Sequence, residues 1–160
     1  IDYKKASVTP EVFKAVLLGD GAYLSGKGSG RFVNSTINDN IFIFFSDHGS
    51  TGLIAFPSTY MYANDLVTTF SKMKGRYNKL VFYLETCESG SMFVNLPKDQ
   101  NIYALSASGT SESSWATYCS PDDVIQGKHI GSCLGDLFSV NFIEDFDATD
   151  LSTETFQTQF

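Results

Sequence analysis

The chain has 160 residues, of which 42% are hydrophobic, 14% aromatic and only 18% charged; this excludes intrinsic disorder and suffices for one buried core. Eighteen acidic against eleven basic residues give a net charge of −7 and a pI near 4.6, which argues against nucleic acid as a partner, since phosphate contact needs clustered Lys and Arg. No segment is apolar for long enough to span a membrane, which takes about 20 residues. The chain begins at Ile1 without a visible signal peptide, so it is expected to be a piece of a longer protein, here a single partial domain over 1–160.

Thr9-Pro10-Glu11 predicts a helix start: a capping hydroxyl, a proline suited to the first helical position and an acid near the positive end of the dipole. Val12, Phe13, Val16 and Leu17 fall on one face, and Gly19 ends the run. The Gly-rich stretch 19–30 is expected to be loop. Ile41 to Phe45 is a continuous apolar run with the pattern of a strand buried on both faces. Leu66, Val67, Phe70 and Met73 recur at helical spacing and Gly75 closes that run. Leu80 to Leu84 is a second buried-type strand and Ile102 to Leu105 a third. Leu134, Leu137, Phe138 and Asn141 predict a helix after Gly131, and another is expected to begin near Ser152. The order is that of an α/β fold whose first two long strands run parallel.

Ligands of open parallel sheets bind beyond the carboxyl ends of the strands. His48 lies three residues past the first strand and Cys87 three past the second. If the strands are neighbours, both side chains reach the same rim, where an imidazole can make the thiol a thiolate. Gly49 brings an N–H close to a substrate and, with the Cys87 N–H, suits an oxyanion hole. The spacing alone fits equally well a buried inert thiol and a satisfied imidazole. Glu85, two residues before Cys87, is placed to accept N–H donors from an Arg, Lys or Asn side chain, and its own composition does not choose among them.

Ser46-Asp47-His48-Gly49-Ser50-Thr51-Gly52 and Glu85-Thr86-Cys87-Glu88-Ser89-Gly90-Ser91-Met92 closely resemble the two active-site motifs of the legumain family (asparaginyl endopeptidases, vacuolar processing enzymes). Val8-Thr9-Pro10, Glu112-Ser113-Ser114-Trp115 and Leu134-Gly135-Asp136-Leu137 with Ser139-Val140 resemble the same family in the same order. The caspase pentapeptide is absent at Cys87. The glycolipid-anchor transamidase, a relative, fits less well at Asp47 to Ser50 and Cys87 to Gly90, although Thr86 leans toward it.

The resemblance implies a caspase-like, three-layer α/β fold with a mostly parallel sheet, its N-terminal part lying outside this chain. It implies His48 as base and Cys87 as nucleophile, cleaving after Asn, or after protonated Asp at low pH, through a thioester and without metal or cofactor. A peptide ligase using the same acyl-enzyme, and a non-catalytic domain that binds Asn-containing peptides, are the alternatives. Glu85, Ser113, Ser114 and Asp136 are implied as substrate-binding residues, completed by an upstream arginine; an upstream asparagine is implied to orient His48. Without the resemblance, Asp136 reads as an acid favouring a helix dipole. Asp47 is implied as a succinimide former, with turn chemistry as its ordinary role. Ala116 matches a position where relatives tune cleavage against ligation.

By resemblance to plant legumains, Cys119 and Cys133 form a disulfide; a zinc site with His129 lacks a fourth ligand. Asn34-Ser35-Thr36 is a glycosylation sequon. The pair and the sequon point to a lysosome-like or vacuolar lumen, or to secretion. The partners implied are peptides or proteins with Asn at P1, and a C-terminal inhibitory prodomain that is not in this sequence.

Overall fold

Thr9 accepts a hydrogen bond from the Val12 N–H at 3.2 Å and Pro10 opens the first helix, so α1 runs Pro10–Leu18. Gly19, at φ +66°, ends it with its N–H on the Ala15 and Val16 carbonyls. The computed structural model describes residues 1–160 and divides them into two units, 1–113 and 114–160. Within the expected loop 19–30 there is a short helix, α2 (Gly21–Leu24). It is too brief to show periodicity. The Asp20 carboxylate caps it by accepting from the Tyr23 N–H, and fully buried Leu24 pins it.

The first unit continues with β1 (Asn40–Ser46), then β2 (Gly49–Ser50), β3 (Leu53–Phe56) and β4 (Thr59–Tyr62), then α3 (Ala63–Met73), β5 (Lys79–Glu85), a 3-10 helix (Ser89–Phe93) and β6 (Ile102–Ser106). The sheet order is β1-β5-β6. Both pairings are parallel, from Asn40↔Lys79 to Ser46↔Glu85 and from Leu80↔Ile102 to Leu84↔Ser106. The parallel sheet of a mixed α/β fold, consistent with the caspase-like fold, is therefore present. β2, β3 and β4 form an antiparallel ribbon beside it.

Alternation along β5 divides its side chains between two faces. Leu80, Phe82 and Leu84 join Ile43, Leu17 of α1, Leu66, Phe70 and Met73 of α3, and Ile54, Phe56 and Met61 of the ribbon in one core. Phe70 meets Phe82 edge-on at 5.5 Å. Each fully buried side chain of this size contributes about 1.5–3 kcal/mol.

β1 departs from the expectation of burial on both faces. Ile43 is buried, whereas Phe42 and Phe44 are 51% and 42% exposed. β1 is an outer strand of the sheet, with β5 as its only sheet neighbour. An unbroken apolar run records no difference between a covered and an uncovered face.

In the second unit, β7 (Ala116–Thr117) pairs antiparallel with β10 (Gly135–Asp136), and between them β8 (Val124–Ile125) pairs with β9 (Lys128–His129). Gln126 and Gly127 both have positive φ, +51° and +78°, as a type I′ hairpin turn requires. Helix α4 (Leu137–Ala148) starts later than the apolar spacing suggested, because Leu134 to Asp136 are used by the loop and by β10. Phe138, Phe142 and Phe146 stack along it at 5.5 and 5.6 Å, an i, i+4 ladder. The last helix, α5 (Phe156–Gln159), begins four residues beyond Ser152. Asp150 organises a turn before it: its carboxylate accepts from the Ser152 N–H and hydroxyl. No helix is long and apolar enough to cross a membrane.

Candidate active site

The rim of the parallel sheet carries both strand-end motifs. The ladder between β1 and β5 extends one step past the strands, where the Asp47 N–H donates to the Glu85 C=O at 3.2 Å. His48 follows, exposed, and its C=O accepts from the Ala55 N–H at 2.8 Å. That bond makes Gly49↔Ile54 a non-hydrogen-bonded pair of the antiparallel ribbon, so the Gly49 N–H is turned away from β3. A Cβ on Gly49 would lie 2.6 Å from Thr86 Oγ1 and 2.7 Å from the Cys87 carbonyl oxygen. Only glycine permits this approach. The segments bearing His48 and Cys87 are thus in backbone contact.

Cys87 is half-buried and outside the disulfide. Glu85 beside it is 2% exposed. Glu88, the next residue, adopts a left-handed φ of +48°, which only a few per cent of non-glycine residues do. Its N–H donates to the Glu112 C=O at 2.7 Å. Ser108, after β6, fixes both flanks of Cys87: its hydroxyl donates to the Thr86 C=O (3.1 Å) and accepts from the Ser89 N–H (3.2 Å). Its own N–H donates to Ser89 Oγ at 3.0 Å. Gly90 faces the Ser108 carbonyl with 3.1 Å for any added Cβ, leaving no slack in the turn.

Asp47 is exposed, and its Oδ1 accepts from the His48 N–H at 2.7 Å. Ser113 is an exposed loop residue at the end of the first unit, and Ser114 is half-buried at the start of the second. Within the second unit the register Asp136↔Ala116, continued by the Leu137 N–H on the Trp115 C=O (2.8 Å), brings Ser114 and Asp136 to one end of a short ribbon. Asp136 stands at the N-cap of α4 yet makes no side-chain capping bond. Cys119 and Cys133 are joined as a disulfide. Asn34 is exposed on the loop before β1, at the opposite end of the strands from His48. Beside it, the Thr36 N–H and hydroxyl hold the Asp39 carboxyl below its ordinary range.

The peptidase C13 family model matches residues 1–160. The chain belongs to that family. It is 45% identical to a legumain of Mus musculus, over 99% of this chain and 35% of that protein. It is 47% identical to a vacuolar-processing enzyme of Citrus sinensis, over 99% of this chain and 33% of that protein, and 46% identical to the delta-isozyme of Arabidopsis thaliana, over 99% and 35%. The chain spans about a third of the length of these relatives.

Three features of this C13 chain escaped the sequence reading. Ser91 and Ser108 lie in short polar words, and nothing in their spacing marks the strand-end segments they join. Asp123 is 1% exposed and accepts from His129 Nδ1 and from the Gly131 N–H, both at 2.7 Å. The proximity of an acid and a histidine in the disulfide loop was the available signal for that pair.

Proposed function

We propose that the protein containing this chain is a cysteine endopeptidase that cleaves after Asn, with His48 as base and Cys87 as nucleophile. The observation carrying this reading is the backbone contact of the two strand-end motifs, Asp47 on Glu85 and Gly49 on Cys87. His48 takes the thiol proton, and the thiolate attacks the backbone carbonyl carbon of the Asn itself. The tetrahedral oxyanion faces the N–H groups of Gly49 and Cys87. His48 then protonates the departing amine, and water hydrolyses the thioester to release the acid.

Glu85, as a buried carboxylate at the rim, accepts from the N–H₂ of the Asn amide, and a side chain leaving it unpaired is rejected. Ser113, Ser114 and Asp136 are kept as substrate-binding residues on the family resemblance. Asp47 is kept as the succinimide former: its carboxylate already touches the His48 nitrogen, and ring closure joins that nitrogen to Asp47 Cγ with loss of water. The Cys119–Cys133 bond and the exposed Asn34 support an oxidising lumen, vacuolar or lysosome-like, or secretion.

An Asn-directed electrophile labels Cys87 in the full-length protein, and labelling disappears in Cys87→Ala and His48→Ala. Undiminished labelling of His48→Ala overturns the dyad. Product analysis with an added peptide amine separates hydrolysis from ligation, since both consume the same thioester.

A further inference from the structure

The turn Ser50-Thr51-Gly52-Leu53 leaves an N–H to satisfy. A two-residue hairpin loop makes no use of the N–H of its second central residue. That residue is Gly52, at φ +75°. Its N–H donates to Ser91 Oγ at 2.8 Å, while its C=O accepts from the Ala63 N–H at the start of α3 (2.9 Å). The same Ser91 hydroxyl donates to the Glu88 C=O at 2.5 Å. Ser91 is 9% exposed, so water is a poor substitute for either bond. One end of this link lies four residues after His48 and the other directly after Cys87.

We propose that Ser91 is a positioning residue that couples the arm carrying His48 to the turn carrying Cys87, keeping imidazole and thiol in register. The proposal rests on the peptidase reading above. Two further observations shape it. The Glu88 C=O also accepts the Ser91 N–H at 2.9 Å, so loss of the hydroxyl leaves the Cys87 turn formed and cuts the hairpin tip's bond to it, the Gly52 C=O keeping its bond to Ala63. Ser108 bonds Thr86 and Ser89 on the Cys87 side and touches no residue of the hairpin in these bonds. Ser91 therefore joins what Ser108 does not. A displacement of about 1 Å between reacting groups costs on the order of 10²-fold in rate.

The test is the pH dependence of Cys87 alkylation by a small haloacetamide unrelated to substrate, followed by mass on the Cys87 peptide of the full-length protein. His48→Ala moves the wild-type profile, because the imidazole is the base that takes the thiol proton. Ser91→Ala and Ser91→Val move it in the same direction, with alkylation near pH 6 falling roughly tenfold or more. Ser91→Thr, which has the shape of Val and keeps a hydroxyl, retains the wild-type profile. Melting temperatures confirm that each variant is folded, and a merely structural role lowers melting without moving the pH profile.

A wild-type profile in Ser91→Ala, or identical behaviour of the Thr and Val variants, overturns the coupling while the dyad stands. A wild-type profile that His48→Ala leaves unmoved removes the dyad and the Ser91 proposal with it.

Discussion

Two loop systems in this chain are held in opposite ways. At the sheet rim, the turns after β1 and β5 are tied to each other by backbone groups, serine hydroxyls and glycines with no room for a side chain, and carboxylates bond only within each arm (Asp47 on the His48 N–H, Glu112 on the Gly109 N–H). Between Cys119 and Cys133, the chain is fixed by a covalent bond and by a buried carboxylate on an exposed imidazole. Neutral hydrogen bonds respond little to pH or to reductant. A disulfide responds to reductant and a carboxylate to pH. The contrast predicts that the rim keeps its geometry under conditions that loosen the second loop.

The largest effect expected is on the covalent side. Replacing both Cys119 and Cys133 by Ser opens a loop with a sequence separation of 14 and costs the 114–160 unit about 3 kcal/mol in the chain-entropy model. Hydrogen exchange checks it: the amides of β7 to β10 lose protection, while that of Asp47, on the Glu85 carbonyl, does not. Equal loss at both places removes the contrast.

The rim is broken from within. Gly49→Ala puts a Cβ 2.6 Å from Thr86 Oγ1 and 2.7 Å from the Cys87 oxygen, so one of the two arms must shift. Labelling of Cys87 by an Asn-directed electrophile falls about 10²-fold, with melting reduced only as far as overpacking dictates. A smaller effect comes from Glu112, whose carboxylate accepts from the Gly109 N–H at 2.8 Å. Glu112→Gln keeps the shape and weakens a charge-assisted bond, costing about 1 kcal/mol. Thermal unfolding of the full-length protein measures it, and the labelling rate changes less than in Gly49→Ala.

How much of this was legible follows from the range of the forces involved. The ends of α1 are local chemistry, a hydroxyl, a proline and a glycine, and they stand where Thr9, Pro10 and Gly19 predict. β5 was legible because an apolar run of its length has few other uses. β1 carries the same kind of run, but exposure of Phe42 and Phe44 depends on what lies beside the strand, which no local pattern encodes. α2 and the start of α5 depend on single caps, Asp20 and Thr155, inside segments without periodicity. At the candidate site, the nearness of the segments bearing His48, Gly49, Glu85 and Cys87 was legible because strand ends gather at one rim. The roles of Ser91 and Ser108 were not, because the partners across which they join segments, Gly52 for Ser91 and Ser89 and Thr86 for Ser108, are 39 and 19 or more residues away and a serine bonding a distant backbone leaves no spacing to read.

The smallest effect tests the ionic half of the second loop. His129 Nδ1 and the Gly131 N–H hold the Asp123 carboxyl below its ordinary range, the histidine bond being the larger cause. The groups bonded to this carboxylate come from β9 and from the strand's exit; Asp122, Lys128 and the exposed disulfide Cys133 lie in the same loop. A carboxyl whose folded value is depressed contributes stability that is fully present above its unfolded value near 4 and is lost as pH falls through the folded one. The loop therefore stays held at mildly acidic pH and loosens only in stronger acid. The Gly131 amide reports it directly: its exchange protection persists to about pH 4 and declines below. Asp123→Asn removes that acid transition and lowers Gly131 protection above about pH 4, where the wild-type group is ionised, because a neutral amide oxygen is the weaker acceptor. Acid release of the Asp47 amide in the same window would show that the rim shares the ionic dependence and would erase the difference between the two loop systems.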